Sequence, residues 1–469
     1  MAEPAKNNLI KKNTKKDKIR IASGQGFWGD LIDAPYHQVT KGDVDYLVMD
    51  YLAEVTMSIL QKQKNKNPDF GYARDIPELM KIILPICKEK KIKIITNGGG
   101  VNPIACAMAI KKSAEEIGVK NIKVGVVLGD DIKDRLDEII GSGSELNNME
   151  TGESIKKIKD KILSANVYFG AFPIVEALEK GADIVITGRT TDTGLTLAPM
   201  IYEFGWSNND YDLLSAGTVA GHILECGAQS SGGNFLGDWE SIENLAEVGF
   251  PIAEAFPNGE VIITKHEKTG GRVSFETVAE QLVYEISDPV SYITPDCVAD
   301  FTSIKLDDLG KNRVKVYNVK GKKETEFYKV SCSYADGYSS VGSLTYSWPN
   351  ALSKAKAADK ILRKRLNNLN LTFNEIRTDF VGYNATHETL APKIDEDKIN
   401  EIMLRVAVRS HDYKSVERFG KEIAPLILTG PPSVTGFAGG RPKPSEVVAY
   451  WPALIPKNLV KPEVKIIEF

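Results

Sequence analysis

Cysteine and histidine are scarce in this sequence, five of each in 469 residues. Cys87, Cys106, Cys226, Cys297 and Cys332 are widely spaced and contain no C-x-x-C pair, which argues against a disulfide framework and a zinc ribbon and fits a reducing compartment. No run of about eighteen apolar residues occurs, so no transmembrane helix and no membrane partner are expected. A basic excess is also missing: with a net charge of −4, the chain gives no reason to expect a nucleic-acid partner. The chain has no P-loop and no G-x-S-x-G elbow, which counts against a nucleotide-dependent kinase or ligase and against a serine triad built on Ser23, Ser230 or Ser231. Gly24, Gly26 and Gly29 behind the first strand have the G-x-G-x-x-G spacing, and three glycines there let the backbone turn sharply and approach a ligand closely. Residues 1–18 are rich in Lys and Asn without an apolar core and read as a disordered basic tail, not a signal peptide, so the expected location is the cytoplasm.

What is present is an alternation of short apolar strands with amphipathic helices. Strands are expected at 18–22, 44–50, 92–96, 122–128 and 183–187, with helices at 53–62 and 76–90 and another behind Pro103. Such alternation predicts an α/β fold, a mostly parallel sheet flanked by helices, over 19–290. Further strands are expected at 261–264 and 272–275. From about 292 strands dominate, followed by a helix, two more strands and a helix, which predicts a smaller α+β domain over 291–469. This domain contains the glycine-rich loop 429–442, in which Gly436, Gly439 and Gly440 loosen the middle and prolines stiffen both ends.

The polar residues gather at the carboxyl ends of the expected strands. The turns 23–30, 96–103, 129–131 and 187–194 all lie there, with Asp50 and Glu54 at a strand-to-helix junction, and one parallel sheet would collect them into one cleft. In Gly188-Arg-Thr-Thr-Asp-Thr-Gly194, Arg189 with Thr190 and Asp192 either binds a carboxylate or phosphate, or forms a salt bridge to Asp192 that only fixes the turn. The loop Asn97, Gly98, Gly99, Gly100 and Asn102 either presents free N–H groups to an anion at a helix N-terminus or is a tight turn needed for packing. Asp130 and Asp131 read as a helix cap. His222, Glu225, Cys226 and Gln229 fall at i, i+3, i+4 and i+7 and share one face if the segment is helical, with Gly232 and Gly233 behind them. Two readings apply: His222 as general acid or base with Glu225 or Cys226 beside it, or a structural histidine next to a buried cysteine. A metal site is disfavoured, since no second cluster completes a ligand set. Arg441 is either a second cation reaching the cleft or a surface charge.

Several uncommon strings in order carry a family likeness: Gly24-Gln-Gly-Phe-Trp-Gly-Asp30, Asp45-Tyr-Leu-Val-Met-Asp-Tyr-Leu-Ala-Glu54, Thr96-Asn-Gly-Gly-Gly-Val-Asn-Pro103, Thr187-Gly-Arg-Thr-Thr-Asp192, Gly221-His-Ile-Leu-Glu-Cys-Gly-Ala-Gln229 and Tyr292-Ile-Thr-Pro-Asp296. From Ile19 to about Pro456 the chain resembles the AtuA family, named for acyclic terpene utilisation. The resemblance implies a place in catabolism of acyclic terpenoid and branched acids as coenzyme A thioesters. Two functions follow. One is a lyase or hydratase of a branched carboxylate or its CoA thioester, with Arg189 and Gly98–Gly100 on the anion and His222 with Glu225 moving the proton. The other is a non-catalytic acyl- or nucleotide-binding subunit of a catabolic complex. The partner in either case is a small molecule, and a homo-oligomer is the default assembly.

Overall fold

Residues 16–435 and 440–469 are described by the computed structural model. The first fifteen residues of the expected tail lie outside them, as do Gly436 and Gly439 of the loop 429–442. At the tail's end, Lys16 is ion-paired to Asp45 at 3.1 Å and Lys18 to Glu254 at 3.7 Å.

Five short aliphatic runs form the middle of a ten-stranded sheet: Ile19–Gln25, Tyr46–Met49, Lys93–Thr96, Ile184–Thr187 and Lys123–Leu128, in that spatial order and all parallel. They are apolar on both sides because helices cover both faces. Ala22, Leu47, Met49, Ile94 and Ile184 pack with residues of the helices Glu54–Lys66, Ile76–Lys90 and Pro103–Glu116. Tyr46 points away from that core and donates its hydroxyl at 2.6 Å to Glu203 of the helix Gly194–Phe204, which covers the other face with Tyr211–Glu225. The spatial order contains one reversal. After Lys93–Thr96 the chain passes through Pro103–Glu116 to Lys123–Leu128, skipping a place that Ile184–Thr187 later fills. A reversal of this kind opens a crevice beyond the carboxyl ends of the neighbouring strands.

Beyond these five strands the sheet is mixed, which departs from the mostly parallel sheet expected. Pro251–Ala255, Val261–Lys265, Val314–Tyr317 and Lys305–Asp308 extend it antiparallel on one side, and Glu463–Glu468 does so on the other. The cause is local: Pro251–Ala255 and Val261–Lys265 are joined by a tight turn in which Gly259 N donates to Phe256 O, so they form a hairpin and need no crossover helix. Arg272–Phe275, expected as a strand, is irregular, and Ser274 caps the helix Phe275–Val283 by accepting from Thr277 N.

Residues up to Ser333 together with Tyr450–Phe469 make one compact unit, and Tyr334–Ala449 a second. The division expected at 290 falls inside the first unit, because Lys305–Asp308 and Val314–Tyr317 extend the large sheet instead of starting a new one. In the second unit, Glu375–Val381, Glu401–Ser410 and the later part of Phe327–Ser347 pair antiparallel. Ile402, Leu404, Val406 and Val408 alternate into a core with Leu362 of the helix Ala351–Asn368 and Phe419 of Tyr413–Ile423, a helix layer on a sheet.

Candidate functional site

The carboxyl ends of the parallel strands do come together, and their polar residues hold one another. Asp50 N donates to Gln25 O, joining the first two strand ends. Asn97 bridges to the next: its Nδ2 donates to Asp50 Oδ1 at 2.6 Å and its Oδ1 accepts from Tyr51 N at 2.8 Å. The glycine run behind it is turned inward. Gly98 N donates to Thr96 Oγ1, Gly100 N to Asn97 O, and Asn102 Nδ2 to the carbonyls of Pro68 and Phe70. A Cβ on Gly99 would lie 2.6 Å from Thr187 O, so the run brings the ends of Lys93–Thr96 and Ile184–Thr187 into backbone contact. Of its two readings, the geometry matches the tight turn.

Arg189 is buried, 2% exposed, and its guanidinium faces protein. Nη1 donates to Leu52 O at 2.7 Å and to Asp192 Oδ1 at 2.8 Å, the plane lies 4.2 Å over the Tyr168 ring, and Nε has no hydrogen-bond partner. Its peptide N donates to Asp130 Oδ2, which also accepts from Asn166 Nδ2. Burial pushes the Asp130 carboxyl up to about 7 against those two hydrogen bonds. Asp130 therefore props the turn instead of capping a helix, and Asp131 accepts from Lys133 N in a local turn ahead of the 3-10 turn Lys133–Arg135, which has no side-chain cap. Thr190 is likewise internal, donating to Phe169 O. Behind this turn both oxygens of Asp296 accept from Ala171 N, and burial lifts that carboxyl to about 6.

Around Arg189 carboxylates outnumber cations. Burial, then the nearby Asp192 charge, drives Asp50 well above the usual carboxylate range. Burial also raises Asp192 against the pull of Arg189, although at 35% exposure water tempers that push. Glu54 goes the other way: burial raises it, but the Arg189 charge, a backbone hydrogen bond and the Tyr168 hydroxyl bring it net below its ordinary value. Arg189 thus serves as a counter-ion within the site, which is the salt-bridge reading enlarged.

The second cluster starts at the end of Tyr211–Glu225. That helix stops at Glu225, and Gly227–Ser231 forms a separate 3-10 turn, so Gln229 does not continue the expected helical face. His222 and Glu225 do meet, with Nδ1 and Oε1 2.8 Å apart. The other ring nitrogen, Nε2, lies 2.9 Å from Gln281 O, and since a carbonyl only accepts, Nε2 carries a proton. The histidine packs against Tyr292 and Phe301 and is 2% exposed, so neither ring nitrogen is open to a ligand. Burial lowers the affinity of His222 for a second proton, but Glu225 more than restores it. Burial raises Glu225 against the pull of His222. One proton is therefore shared between Nδ1 and Oε1, while Glu225 Oε2 is buried and unpartnered. Cys226, partnered by Gln281 and Gln229, has its thiol pushed up to about 12 by burial first and the Glu225 charge second. It is thus a thiol at neutral pH.

Gly26 joins this cluster to the first strand: its N donates to Asp30 Oδ2, and a Cβ there would lie 2.6 Å from Gly227 N. Gly232 and Gly233 close the following turn, their N–H groups donating to Gln229 O and Ala228 O. Arg441 is exposed and belongs to the second unit. Among the described residues no group of three or more His, Cys, Asp or Glu is arranged to hold a metal ion, and no helix is long and apolar enough to cross a membrane. A cavity of about 330 Å³ lined by Lys88, Lys91, Asn121 and Asp183 opens at the amino ends of the strands, away from these clusters.

Sequence reasoning missed Tyr168, Gln281, Lys329 and Tyr450. Lys329 Nζ lies 3.8 Å from Glu54 and over the rings of Tyr168 and Tyr450 at 5.0 and 5.7 Å. No local pattern marks either Lys329 or Tyr450; they arrive from strands remote in sequence.

Fold and clusters together define a mixed α/β protein with a buried acid–base array at the carboxyl ends of its parallel strands. Residues 19–466 match the family described as acyclic terpene utilisation family protein AtuA, and the chain belongs to the AtuA family. That membership relates it to terpene utilisation. No curated protein matches the chain.

Proposed function

We propose that this protein is an enzyme of the lyase or hydratase type that moves a proton on a branched or terpenoid carboxylate or its CoA thioester. It would act in the cytoplasm as a homo-oligomer. Glu225 is the group that takes and returns the proton, and His222 positions it. The observation that carries this reading is the 2.8 Å contact between His222 Nδ1 and Glu225 Oε1, with Oε2 unpartnered beside it. A carboxyl raised by burial, with a neighbour able to absorb the charge change, is suited to proton transfer. In the forward step a C–H bond next to the substrate carbonyl breaks, its proton passes to Glu225 Oε2, and the electron pair remains as an enolate. The leaving group then departs, or the proton returns.

The test does not need the natural substrate. Stabilisation against heat by 3-methylbutanoyl-CoA or 3-methylbutanoate would first show binding. Wild-type protein in D2O should then exchange the hydrogens next to the thioester carbonyl, and Glu225→Gln should slow that exchange about 100-fold or more. Binding without exchange by the wild type would leave the non-catalytic subunit as the better reading.

A further inference from the structure

Arg189 was the cation expected to meet the ligand, yet its Nη1 holds Leu52 O and Asp192. The other cation of the cluster is differently placed. Lys329 comes from the strand Phe327–Ser347, and its side chain is 41% exposed. It lies against the faces of Tyr168 and Tyr450 and, among the described residues, donates no hydrogen bond. Its ion-pair partner Glu54, 3.8 Å away, already accepts from the Tyr168 hydroxyl at 2.9 Å. The ammonium can therefore turn toward a ligand without leaving Glu54 unpaired. One further donor nearby lacks a partner, Nε of Arg189, whose guanidinium lies on the same Tyr168 ring, and the buried Tyr450 hydroxyl lies beside the Tyr168 hydroxyl. An unpartnered buried N–H next to a half-exposed ammonium favours an incoming acceptor, because a donor is costly to leave unmet.

We propose that Lys329 is the residue that binds the substrate's carboxylate, with the Tyr450 hydroxyl as the second donor to it. The aromatic faces fix the ammonium's direction, and a charge-assisted hydrogen bond replaces its longer contact with Glu54. Arg189 stays behind as the counter-ion that keeps Glu54 and Asp192 from repelling the ligand.

This inference rests on the site being one for a carboxylate-bearing substrate, and its test reads binding, not proton transfer, so the two can fail separately. The probe is 3-methylbutanoate, titrated at pH 7 against sodium chloride of equal ionic strength, with the thermal midpoint followed. The wild type should be stabilised by the carboxylate beyond chloride. Lys329→Met should weaken the apparent affinity about 10- to 100-fold, Lys329→Arg should retain most of it, and Tyr450→Phe should weaken it less than Lys329→Met. Lys329→Gln replaces the methionine variant if that one does not fold. Equal affinity in wild type and the neutral Lys329 variants overturns the proposal, even where deuterium exchange at Glu225 is intact. So does a wild type that 3-methylbutanoate stabilises no more than chloride.

Discussion

Arg189→Met is expected to cost about 3–5 kcal/mol of stability at pH 8, the usual penalty for removing one partner of a buried ion pair. The methionine fills much of the aliphatic volume, so the loss is mainly electrostatic. Asp192 loses its counter-charge, Leu52 O loses its donor, and Asp50 and Glu54 lose a neutralising neighbour. These carboxyls can answer only by holding protons more tightly. The folded-state pKa values of Asp50 and Asp192 then rise further above the unfolded ones, and Glu54 loses the pull that held it below its ordinary value, so stability falls as pH rises, and the variant should suffer less at pH 5 than at pH 8. Urea unfolding at both pH values reads this directly. Adding Asp192→Asn should recover part of the loss, since the two sites share an interaction. A cost below about 1 kcal/mol at pH 8 would show that Arg189 does not hold the cluster together.

The second large effect concerns Asp130, behind the same turn. Burial places its carboxyl at about 7, against 3.8 as the ordinary value, so the folded protein binds a proton there that the unfolded chain does not. The sign follows: the contribution to stability is full below pH 4 and is lost as pH rises through about 7. Over that window the loss approaches about 4 kcal/mol, three pKa units at about 1.4 kcal/mol each. Asp130→Asn keeps an oxygen to accept from Arg189 N and Asn166 Nδ2 but cannot ionise. The stability difference between variant and wild type should therefore grow in the variant's favour between pH 4 and pH 7 and level off above. Parallel pH profiles for the two proteins would remove Asp130 as the titrating group.

Much of the frame could be read from the residues. Runs such as Ile184-Val-Ile-Thr187 have no polar side to expose, so they had to be inner strands, and the helix at 76–90 announced itself by its apolar spacing. Ile162–Val167 did not, because Ser164 and Asn166 interrupt it; both are buried and hydrogen-bonded, one to Ser333 and the other to Asp130. The same limit applied to the site. Spacing put His222 beside Glu225, but the bond from Nε2 to Gln281 O depends on a helix some sixty residues on, and it ties up that side of the ring. Asn97 and Arg189 looked like ligand groups because their types suit anions. Which neighbour would satisfy them first was settled by packing, and no single stretch of sequence records that.

Glu463–Glu468 pairs with Lys123–Leu128 at the border of the large sheet. More than three hundred residues separate the two strands, and the whole second unit is made between them. During synthesis on the ribosome, then, the flank of Lys123–Leu128, with Val124, Val126 and Val127 all destined for burial, waits unzipped until residues 463–468 have emerged to seal it.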